Sequence, residues 1–514
     1  MEVSPFLALL LLALFSLLLF FFTVRVRKTS SSQADGRSLP PSPLGFPLLG
    51  HLLLLGPLPH RSLRALAAWH GPVMLLRLGR VPAVVVSSAG AAREALKTRD
   101  PAFASRFSSR MTERLLYGCD MAFSSYGEHW RRARRVCVLH LLSQRCVLSF
   151  RRVREQEAAA LVGRVRAAAR DGAVNLSDLL ISYASSVIFR AAFGDCSSYG
   201  LGGGGKLRKV FDDLEELLGS GTLGELVPWL AWVDSLTGLH AKATRTFEAL
   251  DGLLEQVIAD HRERRRGGPR VGDGGGGGQR DFVDVLLDVN EEDKAGGLWF
   301  DTVTIKAFIT DMYIGGTDTT FATLGWAMAE LINHPDKMRR LQEEIHAAVR
   351  DDDHIIEDHL NKLHYLKLVI KETLRLHPPA PLVPRETVED AELLGYHVPA
   401  RTRVLVNVWA IGREPTTWER AEEFLPERFA EDVDMDQYML GQDFTLLSFG
   451  AGRRGCPGAG FAMASVELVL ANLLYSFNWS LPAGASMVNM DEQGGLAVRL
   501  KKTLHLVAMP WCSE

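Results

Sequence analysis

The stretch Leu446–Ala462, "LLSFGAGRRGCPGAGFA", admits two readings that lead to different proteins. Gly450, Gly452 and Gly455 spell G-x-G-x-x-G behind an apolar run, the pattern that cradles a dinucleotide pyrophosphate at a strand-to-helix turn. The same loop presents Cys456 where a soft metal wants a thiolate. A dinucleotide site needs an acidic residue about 20 positions further on to hold the ribose. Glu467 comes too early for that and Asp491 too late, and only a short tail remains to build the second half of a doubly wound sheet. The thiolate reading fits better. The glycines let the backbone turn tightly, Pro457 ends the loop, and "GAGFAMASVELVLANLLYSF" reads as a helix starting just after Cys456, whose dipole favours the thiolate. Arg453 and Arg454 supply fixed positive charge for an anionic cofactor edge. On the loop alone, a buried structural cysteine beside a glycine turn stays open.

The rest of the chain bounds the choice. Its 514 residues are 47% hydrophobic and 23% charged, a balance that suits a globular chain with a large core. A formal net charge of -3 and a pI near 6.6 argue against a nucleic-acid binder, which needs a basic excess against phosphate. Cys119, Cys137, Cys146, Cys196, Cys456 and Cys512 form no C-x-x-C pair, so neither a zinc site nor a disulfide framework is expected, and the chain faces a reducing compartment.

From Phe6 to Val24 no residue is charged, and about 18 apolar residues suffice to span a bilayer. A cleaved signal peptide would want a positive leader and a small-x-small cleavage site, whereas this segment follows Glu2 and ends in "RVRK". Residues 1–28 therefore read as an uncleaved anchor, and Arg25, Arg27 and Lys28 place the remainder of the chain in the cytosol. Residues 29–50 read as a Ser-rich tether and a stiff hinge, with Pro40, Pro41, Pro43 and Pro47 holding the chain extended. The body, 51–514, opens with "PVMLLRLG" and "AVVVSS" around a Gly-Arg-Val-Pro turn, an early hairpin. Beyond it, stretches such as "REQEAAALVGRVRAAARDG" and "PDKMRRLQEEIHAAVRD" have the spacing of amphipathic helices, giving a mostly α fold with small β-sheets. The glycine tracts near Gly202 and from Gly267 to Gln279 read as mobile surface loops.

Phe449, Gly452, Arg454, Cys456 and Gly458 match F-x-x-G-x-R-x-C-x-G, and on this specific pattern the chain resembles the cytochromes P-450, the haem-thiolate monooxygenases. The likeness covers essentially the whole chain, and "FATLGWAMAELI", "KETLRLHPPAPLVPRET" and "FGAGRRGCPG" look most like plant microsomal members. It implies that Cys456 is the axial ligand of a haem b (iron protoporphyrin IX) iron. It further implies that Glu372 and Arg375 of "KETLR" lock to Arg428 of "PERF" in a buried triad, tolerable only because the charges pair. Trp130 and Arg134 of "WRRARR" then match the W-x-x-x-R that reaches the haem propionates, with Arg385 as a further partner, while Arg131, Arg132 and Arg135 face an acidic redox partner.

In "FITDMYIGGTDTTFATLGWAMAELI" poor helix formers crowd the middle of a long apolar helix. The resemblance makes this an oxygen-binding groove with a distorted turn, Asp318 and Thr319 being the acid and alcohol that relay protons. Substrate-facing positions carried over from the family layout are Phe107 and Phe123 on one loop, and Ala307, Met312 and Gly315 on the long helix. Ala380, Leu382 and Val383 supply a further segment, and Leu496 and Ala497 a late turn. Two departures stand out: Ser448 and Phe107 occupy positions where the family commonly has proline, which bears on the Cys loop and on the substrate-facing loop respectively.

The activity implied is insertion of one atom of dioxygen into a small hydrophobic molecule, with electrons from NADPH through a flavoprotein reductase. The setting implied is the endoplasmic reticulum membrane, entered by one N-terminal helix with the catalytic domain in the cytosol. A haem protein that rearranges an oxygenated substrate without a reductase, and a tethered binding protein without catalysis, are the rival classes. The intact Asp318 and Thr319 speak against the first, and the joint presence of loop, triad and proton groups against the second.

Overall fold

The computed structural model describes residues 38–194, 205–266, 280–292, 300–349, 353–431 and 438–511. The apolar segment 6–24, the serine-rich tether, and the glycine tracts near Gly202 and at 267–279 lie outside the described residues. From Ser38 onward the proline-rich stretch is laid along the body. The His397 N–H donates to the Ser38 carbonyl at 2.7 Å, and the Leu75 N–H to that of Pro41 at 2.8 Å.

Strands Val73–Leu78 (β1) and Val81–Val86 (β2) form the expected hairpin, antiparallel with Leu78 opposite Val81. The turn is shorter than the sequence suggests, because Val81 and Pro82 already belong to β2. Pro82 is tolerated there since β2 begins pairing with its other neighbour only at Ala83, so its missing N–H breaks no bond on that side. Gly79 in the turn has φ +60°, and a Cβ on it would lie 2.0 Å from the Leu226 carbonyl oxygen, so only glycine fits. Leu382–Glu386 (β3) and Arg403–Asn407 (β4) complete a four-stranded sheet of order β1-β2-β4-β3, in which only β2 and β4 run parallel.

Helices dominate the remainder. Those that position the site are Glu128–Val136 (α1), Leu176–Phe193 (α2), Gly205–Gly219 (α3), Leu239–Arg266 (α4), Thr302–Asn333 (α5), His364–Leu376 (α6) and Ala459–Ser476 (α7). The two amphipathic stretches form helices Arg151–Ala168 and Pro335–Ala348. By length and composition α2 and α7 are apolar enough to cross a membrane, but each is 67% buried inside the protein, as core helices are.

The central helix, α5, is 32 residues long and starts where the Asp301 carboxylate accepts the Thr304 N–H at 2.8 Å. It runs unbroken through Gly315–Thr320, where the sequence suggests a distorted turn. The threonines are absorbed by bonding back along the helix: Thr319 Oγ1 donates to the Gly315 carbonyl at 2.7 Å and Thr323 Oγ1 to that of Thr319 at 2.8 Å. The paired glycines serve different ends. A Cβ on Gly316 would lie 2.3 Å from Ile188 Cδ1 of α2, whereas one on Gly315 would meet nothing within 4 Å. Gly316 thus lets two helices close up, and Gly315 leaves room on the opposite flank.

Candidate functional site

That room is part of a cavity of about 330 Å³ between α5, the loop before α7, the segment leading into β3, and α1. Its walls are mostly apolar, from residues such as Met312, Val383, Phe449 and Val466, as in small-molecule sites generally. Cys456 forms part of the lining, with its thiol free. The Cys456 N–H donates to the Phe449 carbonyl at 2.8 Å, closing the loop. Gly452, at φ +68°, passes so near Leu96 that a Cβ would lie 2.3 Å from its carbonyl oxygen. Burial raises the Cys456 thiol above its ordinary range; the N–H groups of Gly458 and Ala459 and the charges of Arg134 and Arg106 oppose this without overcoming it. Removal of the anion from water thus works against the help that the helix start gives a thiolate. A bound metal ion deprotonates such a thiol outright.

Around the sulfur gathers a surplus of buried positive charge. Arg134 donates to the Gly455 carbonyl at 2.6 Å. Arg454 donates to the carbonyls of Ala104 and Ser124 at 2.8 and 2.6 Å and lies 4.0 Å over the Trp130 ring. Trp130 itself donates its indole N–H to the Met121 carbonyl at 3.0 Å, so its share is to carry Arg454. Arg385 bonds the carbonyls of Pro384 and Ala451, but among the described residues its buried Nε has no partner, and neither has that of Arg106. Burial and mutual repulsion lower these cations: Arg385 well below the usual guanidinium range, Arg454 to about 9, and Arg106 to about 10, the last by burial foremost. The nearby acids do not balance them. Burial lifts Asp120 to about 6 and raises Asp311 well above the usual carboxylate range, and Asp311 spends its carboxylate on the N–H groups of Met121 and Ala122 at 2.6 and 3.3 Å. Arg453 turns away, 48% exposed and paired with Asp100 at 3.0 Å.

A flat apolar group carrying two anionic arms fits this arrangement. An anionic arm would supply the missing partner of the Arg106 Nε in the cavity lining, with the fully buried Arg385 behind that lining adding its charge, and the sulfur stands ready as a metal ligand. Iron protoporphyrin has this chemistry, with Cys456, Arg106, Arg134, Arg385 and Arg454 to hold it. Arg106 escapes the sequence reading, although a lone arginine between apolar residues in "FASRF" is a signal of a buried cation; so does Asp311, a single acid in "FITDMYI".

Behind the cavity wall stands the triad. Arg375 grips Glu372 with two bonds of 2.7 and 2.8 Å, and the Nε of Arg428 reaches the same carboxylate at 3.0 Å. The remaining Arg375 donors go to the carbonyls of Gly412, Ala421 and Glu423, and the Leu425 N–H takes up Glu372 once more. Ser448, standing where the family commonly has proline, donates its hydroxyl to the Leu374 carbonyl at 2.8 Å, which ties the cysteine loop to the triad helix by a bond that proline could not make. Gly458 caps α7, a residue there with a Cβ coming 4.0 Å from Cys456 Sγ.

Thr319 lines the cavity, while Asp318 does not. Its carboxylate lies on another face of α5, taking the Ala497 N–H and standing 3.8 Å from Arg499. Of the positions expected to face substrate, Met312, Gly315, Ala380, Leu382 and Val383 line the cavity. The other five do not. Arg403 stacks 4.2 Å over the Phe107 ring, Phe123 packs on the main core, and Ala307 is fully buried in α5. Leu496 sits against the end of α3, and Ala497 serves Asp318.

Comparison with known proteins agrees with this geometry. The family model for cytochrome P450 matches residues 40–507. Cytochrome P450 71A1 of Persea americana is 48% identical over 465 residues, spanning 89% of this chain and 91% of the relative. The (+)-menthofuran synthase of Mentha piperita is 43% identical, spanning 97% and 99%. Norfluorocurarine oxidase of a Strychnos species is 42% identical, spanning 96% and 97%. A zebrafish cytochrome P450 solved with abiraterone superposes with a TM-score of 0.73 at 26% identity, covering 89% of this chain and all of that one. A thiol at a cavity lined by unbalanced guanidiniums, backed by a closed charge triad and carried on this fold, makes the chain a member of the cytochrome P450 family, a monooxygenase whose cofactor is haem.

Proposed function

We propose that the cavity accepts a small hydrophobic plant metabolite between Thr319 and Met312 of α5 on one side and Ala380–Val383 on the other. In this reading haem, when bound, supplies the activation of dioxygen and the insertion of one oxygen atom. The chain does the rest. Cys456 holds the metal as a thiolate, with Gly458 and Ala459 directing their N–H groups at the sulfur. Arg106, Arg134, Arg385 and Arg454 fix the anionic edge. Thr319 keeps its proton at Oγ1 on the Gly315 carbonyl, from which it can turn toward the cavity, and Asp318 on the adjoining face carries protons in from solvent. The observation that carries the reading is the placement of Cys456 and Thr319 in one apolar cavity ringed by buried cations.

Electrons would come from NADPH through a flavoprotein reductase, docked on the exposed Arg131 and Arg135 of α1, the helix whose Arg134 touches the cysteine loop. The chain would sit on the cytosolic face of the endoplasmic reticulum membrane through its N-terminal helix. Support for a membrane-facing side comes from Trp229, Trp232 and Leu236, 55–76% exposed, and from Leu44 and Leu48, 78% and 72% exposed.

Two variants test the assignment. Cys456→Ala is expected to abolish the thiolate-type carbonyl spectrum of the reduced protein, and retention of that spectrum would show another ligand. Thr319→Ala keeps the helix and should keep haem, yet product formed per NADPH should fall as oxygen leaves as hydrogen peroxide. An unchanged ratio would favour a rearranging enzyme. Spin-state shifts of purified protein against small terpenoids, indoles and phenolics would name the substrate.

A further inference from the structure

On the face of α5 away from the cavity, Asp318 is only 5% exposed, and its Oδ1 has no hydrogen-bond partner among the described residues. Arg499, which opens the short strand Arg499–Leu500 (β5), stands 3.8 Å off, within reach of charge but not of a hydrogen bond. The end of α3 packs over the same spot. Gly219 approaches the late turn so closely that a Cβ on it would lie 2.8 Å from the Leu496 nitrogen. One turn earlier on α3, Glu215 holds a second buried carboxylate oxygen, Oε1, that lacks a partner among the described residues, and Asp318 is its foremost charged neighbour.

Two buried acids, each with an unpartnered oxygen and near enough to feel the other's charge, do not readily both ionise. One of them keeps a proton. Burial first, then the charges of Asp318 and Asp212, push Glu215 up to about 8, with Arg499 opposing. Burial lifts Asp318 too, but Arg499 and the Ala497 N–H pull it back. At neutral pH the proton therefore sits on Glu215. The groups that face it are Asp212 on α3, Asp318 and Tyr313 on α5, and Arg499 on β5. Asp213 and Glu216 are turned aside to Lys242 of α4, at 3.1 and 2.7 Å. Arg499 is 38% exposed, so the cluster opens to solvent on the side away from the cavity.

We propose that Glu215 is the proton store for Asp318. The O–H bond of the Glu215 acid breaks as solvent water between the two acids takes the proton and gives one of its own to the Asp318 carboxylate, and the Glu215 carboxylate left behind recovers one from solvent at the Arg499 edge. The proposal rests on the reading of Asp318 as the acid that feeds the Thr319 side of the helix. Glu215 touches neither substrate nor cofactor and acts only through Asp318, as a positioning residue for its proton.

The test uses the full-length holoenzyme as wild type, Glu215→Gln, Glu215→Asp and Asp318→Asn. Infrared titration of the resting enzyme should show a carboxylic-acid band that fades as pH rises through about 8 and is missing in Glu215→Gln. Product per NADPH at neutral pH should drop on the order of tenfold in Glu215→Gln, with a flattened pH profile, and recover in Glu215→Asp. A band that survives in Glu215→Gln, or a wild-type ratio across pH in that variant, overturns the proposal. If Asp318→Asn is impaired while Glu215→Gln is not, the store alone is wrong; if Asp318→Asn is also unimpaired, the Asp318 reading fails with it. Should Glu215→Gln not fold, Arg499→Gln removes the cation that holds Glu215 down. The midpoint of the band must then move upward, and an unmoved midpoint overturns the proposal.

Discussion

The protein buries two groups of arginines that look alike in the sequence and behave differently in the fold. Around Glu372 the charges close on themselves: Arg375 and Arg428 share one carboxylate, and their remaining donors end on backbone carbonyls. Around Cys456 they do not close. Arg385 and Arg106 keep a buried Nε with no acceptor among the described residues, and the acids within reach are pushed toward their neutral forms. A closed cluster is a structural joint, whereas an open one of the same residues is a binding site for what would close it.

Substitutions can break this contrast. The largest effect is expected from Glu372→Gln, which leaves two buried guanidiniums without a counter-charge and should cost about 3–5 kcal/mol, read as a lowered denaturant midpoint with loss of haem. Next is Arg385→Leu, where the expected signs are opposed. The haem-free protein should hold its stability or gain, since an unbalanced buried cation is removed. Haem retention should weaken by about 1.5–3 kcal/mol, the usual worth of a hydrogen bond to a charged group, read by transfer of haem to an acceptor globin. If Arg385→Leu instead destabilises the haem-free chain as Glu372→Gln does, the two clusters are of one kind. The smallest effect is expected from Ser448→Ala, which cuts the tie between cysteine loop and triad helix and should cost about 1 kcal/mol, seen as a lower melting temperature with the carbonyl spectrum retained.

Much of this was legible before the fold. The cysteine loop, the Glu372–Arg375 pair and the central helix are local patterns, in which spacing along the chain fixes which side chains share a turn or a face. What stayed hidden depends on distant segments meeting. Arg106 becomes a site residue only because its loop folds back against Arg385 and Arg454, and the Asp318 carboxylate faces Arg499 rather than Thr319 because β5 packs on α5. The substrate-facing positions divide on the same line. Those on α5 and the approach to β3 line the cavity, Ala307 excepted. Phe107, Phe123, Leu496 and Ala497 lie in loops, where the course of the backbone, not the residue type, decides which way a side chain is used. Where the sequence suggests a distorted turn, α5 stays helical through Gly315–Thr320, with the threonine hydroxyls bonding one turn back.

The bond from Ser448 to Leu374 also bears on how the protein is made. Chains leave the ribosome amino end first, and Glu372, Arg375 and Arg428 are all synthesised ahead of Cys456. The hydroxyl of Ser448 therefore meets a helix whose charged joint has its parts already in hand, and the reactive thiol arrives after the framework that will orient it. A chain ending before Ser448 would hold every residue of the joint and not the ligand.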